Sequence, residues 1–196
     1  MVVHDLAVLS GLHVPKAQLR HFSEHGSTFL VQRFDRHDDN TRIHFASAMT
    51  MLGKTDGDTA SYLDIVEFLE GNSSRAEEDI RELWKRIVFS IAVSNVDDHL
   101  RNHGFLLKND QWELSPAYDL NPSAWGNSLS LTIDDQSNEK DMKLAIESAS
   151  YFRLSDSQAK EQSEKVQKII HNNWRCIAKK YSIPNAECER MKSAFC

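Results

Sequence analysis

Ser94-Asn95-Val96-Asp97-Asp98-His99-Leu100-Arg101-Asn102 decides how the rest of the chain is read. Two carboxylates, an imidazole, a guanidinium and two side-chain amides fall within one short stretch. Just before it, Ile80, Leu83, Trp84, Ile87, Val88, Ile91 and Ala92 recur at helical spacing. Phe89 and Val93 widen that stripe, so the pattern predicts a helix buried almost all round at its C-terminal end. Just after it, residues 104–107 and 111–114 read as two strands around Asn109-Asp110, a tight-hairpin signal. Polar residues set between two buried elements are held rigidly enough to aim chemistry. Another acid, Asp119, follows in Ser115-Pro116-Ala117-Tyr118-Asp119.

The intervals carry information. Asp97 precedes Asn102 by five residues, and Asp119 lies seventeen beyond Asn102. A protein-kinase catalytic loop has the same five-residue interval between its catalytic Asp and a metal-binding Asn, with a further metal-binding acid downstream. In that scheme Asp97 accepts the proton of an acceptor hydroxyl. Asn102 and Asp119 offer the hard oxygens that Mg²⁺ takes. Arg101 is placed to stabilise phosphoryl charge. Two other readings of the same residues stand beside this one. The string is also what a polar loop needs to satisfy its own backbone turns. Asp97, Asp98, His99, His103 and Asp119 also have the chemistry of a metal-dependent phosphoesterase or nuclease, although no second spaced His pair accompanies them.

Gln32-Arg33-Phe34-Asp35-Arg36, the stretch from Ser94 to Asn102, and Ser115-Pro116-Ala117-Tyr118-Asp119 together resemble the HipA family of bacterial toxin kinases. That family has an R-F-D-R segment at its nucleotide hinge, a D-x-H-x-K/R-N catalytic loop and a P-x-Y-D segment. All three occur here in order, and the resemblance runs from about Val3 to the C-terminus. It implies catalytic roles for Asp97, with His99 and Arg101 in the same loop, and Mg²⁺ ligation by Asn102 and Asp119. Asp98 then occupies a variable position, and Asp97 and Asp98 are not distinguished by sequence. The hinge implies ATP contacts from Gln32, Phe34 and Asp35, with Tyr118 over the adenine. Taken alone, Arg33, Asp35 and Arg36 read as a surface ion cluster with Phe34 in the core. The family also implies transfer of the γ-phosphoryl group to a protein serine, with aminoacyl-tRNA synthetases among the targets, and restraint by a DNA-binding antitoxin.

Composition bounds these possibilities. The chain has 196 residues, 40% hydrophobic and 27% charged, which is globular and large enough for an ample core. Its net charge of −6 disfavours direct nucleic-acid binding as the main role. Three cysteines without metal or disulfide spacing point to a reducing cytoplasm. No apolar run is long enough to span a membrane, and no leader pattern opens the sequence.

Along the chain, residues 4–12 read as a short helix ending at Gly11. Residues 17–22 and 28–32 read as strands joined through Glu24-His25-Gly26-Ser27, leading into the hinge. Asp38-Asp39-Asn40 is a turn, and residues 45–52 read as a helix closed by Gly53. Tyr62, Ile65, Val66 and Leu69 mark another helix. Ser74-Arg75-Ala76-Glu77 reads as a capping box for the long apolar helix. Leu129, Leu131 and Ile133 alternate as a short strand or an extended segment. Helices are expected over 140–148 and 155–181, the latter with a Ser155/Gln158 capping box, and a last one from Pro184. The expected fold is mainly α within α+β: a helical C-lobe of kinase type, with hairpins at the hinge and after the catalytic loop. Residues 1–36 would be the end of an N-lobe, and 37–196 the C-lobe.

A kinase also needs a Gly-rich loop over the phosphates and a strand Lys on them. Only seven glycines occur, none clustered. The expectation is therefore a C-lobe that requires a separate or missing N-lobe and is inactive alone. The contrasting expectation is a non-catalytic interaction module that uses the C-lobe surface for a partner.

Overall fold

The computed structural model describes residues 1–24 and 26–195. His25, in the expected first turn, lies outside the described residues. The chain opens with helix α1 (Val2–Leu9), and a hairpin of β1 (Ala17–Ser23) and β2 (Gly26–Val31) follows. Next come β3 (Phe45–Ser47), α2 (Ala48–Met51), α3 (Tyr62–Asn72) and α4 (Ala76–Ala92). The second hairpin is β4 (Gly104–Lys108) and β5 (Gln111–Leu114). Helices α5 (Met142–Glu147), α6 (Asp156–Lys180) and α7 (Asn185–Arg190) complete the order. The strands form two antiparallel sheets, β1-β2 and β3-β4-β5.

Helix α4 is the floor of the site. Ile80, Leu83, Trp84, Ile87, Val88 and Phe89 are all buried. Burying such side chains contributes roughly 1.5–3 kcal/mol each before entropy is counted. Glu77, Glu78 and Asp79 occupy its first turn, where the helix dipole favours acids. Its N-cap is Arg75, without a side-chain cap, so the expected box at Ser74 does not form. Ser73 instead accepts from Arg75 N at 3.0 Å and donates to the buried Asp79 at 2.7 Å. Trp84 Nε1 donates to Ala145 O at 2.9 Å and ties α4 to α5. At the far end α1 meets α6: Asp5 accepts from Lys180 Nζ at 2.9 Å and Tyr181 Oη at 2.7 Å.

The second hairpin follows the sequence closely. Asn109 (φ +49°) and Asp110 (φ +62°) both take the left-handed conformation that a two-residue turn with matching twist requires. Residues 45–47, expected as helix, are instead a strand: Ser47 pairs with Gly104, and Phe45 with Leu106. Gly104 makes that pairing possible, because a Cβ there would sit 2.3 Å from Phe45 Cε2. Leu129, Leu131 and Ile133 are buried along an extended segment held by isolated bridges, Ser128 to Glu139 and Thr132 to Ser61. Two capping boxes are closed, Ser155/Gln158 on α6 as expected and Ser61/Asp64 on α3.

Candidate active site

The loop leaves α4 by a left-handed residue, Ser94, at φ +53°. Such a conformation costs a non-glycine residue about 1–2 kcal/mol and needs support from its surroundings. Here the support is explicit. Asn95 N donates to Ser90 O at 2.8 Å, Ser123 N to Ser94 O at 2.9 Å, and Lys140 Nζ to Ser94 Oγ at 2.7 Å. Ser130 Oγ donates to Val96 O at 3.0 Å. Gly126 lies against Val96, where a Cβ would come within 3.3 Å of it.

Within the loop, Asp97 is exposed and Asp98 is buried at 3% exposure, so the structure separates the two acids. Asn102 is buried, and its Nδ2 donates to Asp97 O at 3.0 Å. That bond gives the five-residue interval a physical meaning: the amide closes the loop on itself. It also fixes the amide so that Oδ1 is the oxygen left for a ligand. Asn102 N donates to His99 O at 2.8 Å. His99 Nδ1 is buried with no hydrogen-bond partner among the described residues. Arg101 is exposed and pairs with Asp56 in the 54–58 loop.

Asp119 is bracketed by bonds to this loop. On one side Tyr118 Oη donates to Arg101 O at 2.6 Å. On the other, Asn121 N donates to Asn95 Oδ1 at 3.2 Å. Asp119 itself is exposed, with φ +57°. Asn121 Nδ2 donates to its Oδ1 at 2.7 Å, and Oδ2 remains available. Asn102 Oδ1 and Asp119 Oδ2 are thus two hard oxygens on segments stitched together, which fits a Mg²⁺ site completed by phosphate and water. Among the described residues, no three His, Cys, Asp or Glu side chains gather as a metal centre. The five-residue cluster of a phosphoesterase is therefore not assembled.

Asp98, which the sequence leaves undistinguished from Asp97, takes a separate place in the structure. It accepts from Tyr62 Oη at 2.7 Å and from Ser90 Oγ at 3.3 Å. His103 Nε2 lies 3.0 Å from its Oδ1, close enough for charge attraction but off the line of a good hydrogen bond. Burial alone would raise its pKa; the His103, Tyr62 and Arg86 partners overcome this and hold the carboxyl below its usual range. Arg86, also buried, donates from Nη2 to Ser115 O at 2.6 Å, at the start of the segment that ends in Asp119.

The hinge residues are placed differently. Asp35 is held by Arg33 at 2.6 Å and Arg36 at 2.6 Å, and the Arg33 hydrogen bond first, then both cations, bring its pKa down to about 2. Phe34 packs against Tyr118, ring centroids 5.5 Å apart, and against Phe45 at 5.7 Å. Gln32 is exposed, and its N donates to Lys16 O at 2.8 Å. A cavity of about 600 Å³, mostly apolar, opens between α1, the β1-β2 hairpin and residues 117–122. Tyr118 and Asp119 line it, together with Phe29 and Val31; Gln32, Phe34 and Asp35 do not. Burial pushes the Tyr118 phenol well above its ordinary range, so it stays neutral and donates.

Comparison with known proteins gives this arrangement a context. The backbone superposes on HipA of Shewanella oneidensis MR-1, from its toxin–antitoxin complex with HipB and operator DNA, with a TM-score of 0.81 at 16% identity. That match covers 99% of this chain and 53% of HipA. The Helicobacter pylori proinflammatory kinase CtkA matches with a TM-score of 0.58 at 13% identity, over 99% of this chain and 83% of CtkA. The fold is thus the α+β C-lobe of a kinase. Among curated sequences, a Haemophilus influenzae protein named "Putative kinase" is 32% identical over 101 residues, 46% of this chain and 29% of the relative. "Putative kinase Y4dM" of Sinorhizobium fredii is 32% identical over 120 residues, 59% of this chain and 27% of the relative. The chain therefore spans about half of HipA, and its alignments take in under a third of these two curated relatives. The HipA-like C-terminal domain profile matches residues 1–180, and the chain belongs to that family.

Proposed function

We propose that this chain carries the catalytic loop and metal-binding acids of an ATP-dependent protein serine kinase of the HipA type. The observation that carries the reading is the double stitch, Tyr118 to Arg101 and Asn121 to Asn95, which holds Asp119 beside the loop bearing Asp97 and Asn102. Asp97, exposed and next to the fixed Asn102, takes the proton of the acceptor hydroxyl as that oxygen bonds to the γ-phosphorus of ATP and ADP leaves. Asn102 and Asp119 would hold Mg²⁺ through the side-chain oxygens that their hydrogen-bond partners leave open, Oδ1 and Oδ2 respectively. When bound, the ion neutralises the phosphate charge that develops in transfer. The cavity beside Asp119 receives the nucleotide, with Tyr118 at its wall.

Arg101 can reach phosphoryl charge only by giving up Asp56, and Asp35 can reach a ribose only from within its pair of arginines. Both are assigned roles in an assembled enzyme on that condition. The cavity is walled by α1, β1, β2 and residues 117–122, and no Gly-rich segment closes over it among the described residues. The chain alone should therefore bind ATP weakly and transfer phosphate poorly, and a complementary N-lobe should restore both. The HipA complex with HipB and operator DNA supports an antitoxin as partner, and three cysteines without disulfide spacing suit a reducing cytoplasm. An aminoacyl-tRNA synthetase remains the protein substrate that the family resemblance suggests.

The test is transfer of labelled γ-phosphate to protein acceptors, with the N-lobe supplied as a separate polypeptide. Asp97→Asn should remove transfer and keep nucleotide binding, whereas Asp119→Ala should weaken both. Equal loss of binding in the two variants would show that the roles are misassigned.

A further inference from the structure

We propose that Asp98 is a positioning residue whose buried carboxylate holds Asp97 and Asn102 in register, an inference that rests on the catalytic reading of that loop. Asp98 lies beside Asp97, at 3% exposure, and reaches three separate elements. Tyr62 comes from the first turn of α3, Ser90 from α4, and His103 from the residue after Asn102. A carboxylate taken out of water is retained only where donors and charge replace its hydration. Here the replacements approach from every side of the loop. Tyr62 Oη and Ser90 Oγ fix Oδ2, and His103 sits over Oδ1.

The geometry links both ends of the motif. His103 follows Asn102 directly, so the contact from Asp98 to His103 spans the residue whose amide bonds Asp97 O. Any shift of Asp98 moves both ends of that bond. Arg86 adds a second link: its charge supports Asp98, and its Nη2 holds Ser115 O, where the chain turns toward Asp119. The acid thus acts through its neighbours and touches no substrate.

Two readouts separate positioning from mere stability. The first is hydrogen exchange of the Asn102 side-chain amide by NMR, which reports its bond to Asp97 without any ligand. The second is the gain in ATP binding on adding Mg²⁺, by calorimetry. Both are read well below each variant's melting temperature. Asp98→Ala strands Tyr62 and His103 and should expose the amide to exchange at least tenfold faster and erase the Mg²⁺-dependent gain. Asp98→Asn keeps an acceptor for Tyr62 and should restore much of both. Trp84→Phe, a buried change bonded to α5 rather than to the loop, should lower the melting temperature and leave the amide protected. If Asp98→Ala does not fold, Tyr62→Phe serves in its place, with a smaller rise in exchange. Unchanged amide protection in folded Asp98→Ala, or in Tyr62→Phe where that variant stands in, would overturn the proposal. Loss of protection in Trp84→Phe to the same degree would overturn it equally. If the wild-type chain shows no Mg²⁺-dependent gain, the kinase reading is at fault, and the amide measurement still decides the case of Asp98.

Discussion

The floor of the 94–102 loop and the β1-β2 hairpin are built on opposite terms. Under the loop, Ile87, Val88, Phe89 and Val93 are wholly buried, and Ser94, Val96, Asp98 and Arg101 are each bonded to segments outside the loop. In the hairpin, Phe22 is 73% exposed, Phe29 45% and Val31 43%. Among the described residues its two strands have only each other as sheet partners. A two-stranded ribbon is marginal on its own, and open edges with apolar side chains invite a partner. The loop's shape is therefore fixed from within this chain, while the hairpin's surface is suited to be finished by contacts from outside it. The proposed chemistry rests on the first region, and the cavity beside Asp119 is walled in part by the second.

Five substitutions would break or sharpen that contrast. The largest effect is chemical. With an N-lobe supplied, Asp97→Asn should slow phosphoryl transfer by about 10²–10⁴-fold, while circular dichroism and melting stay as in the wild type. Next is the floor itself. Trp84→Ala should cost about 3–5 kcal/mol in denaturant unfolding, whereas Phe22→Ser should stay within about 0.5 kcal/mol. Equal losses at the two positions would erase the distinction between the regions. Gly104→Ala is smaller: Phe45 must move to admit the methyl, at about 1–3 kcal/mol, and β3 should lose amide protection first.

The smallest effect is at the hinge. Asp35 has a folded pKa of about 2, below its unfolded value, so its contribution is present above about pH 4 and is lost as pH falls through 2. The Arg33 side chain is 67% exposed, so screening keeps that contribution under about 1 kcal/mol. Asp35→Asn should flatten the stability profile between pH 4 and pH 2, costing under about 1 kcal/mol at neutral pH and nothing below pH 2.

Much of the fold was legible because local signals agreed with tertiary contacts. The α4 stripe, the Asn109-Asp110 turn and the Ser155/Gln158 box each state their structure within a few residues. Residues 45–47 misled because a short apolar run has no decisive period, and its strand pairing depends on Gly104, far along the chain. Ser74 resembled an N-cap, but Ser73 answers to Asp79 and leaves the helix to begin one residue later. The Ser61/Asp64 box is written in the sequence as Ser-x-x-Asp, with Asp where Glu or Gln is the usual signal. At the site, the order Asp97, Asn102, Asp119 could be read as a motif. The separate state of Asp98 could not, because Tyr62, Ser90 and His103 meet it only after folding.

In the proposed enzyme, Asn102 and Asp119 would hold a metal ion that carries nucleotide. The most direct measurement is calorimetric titration of ATP into the chain with an N-lobe supplied, with and without Mg²⁺, repeated for Asn102→Ala and Asp119→Ala. The account predicts tighter binding in the presence of Mg²⁺ for the wild type, and loss of that increment in both variants while Mg²⁺-free binding persists. An increment of wild-type size in either folded variant would contradict it.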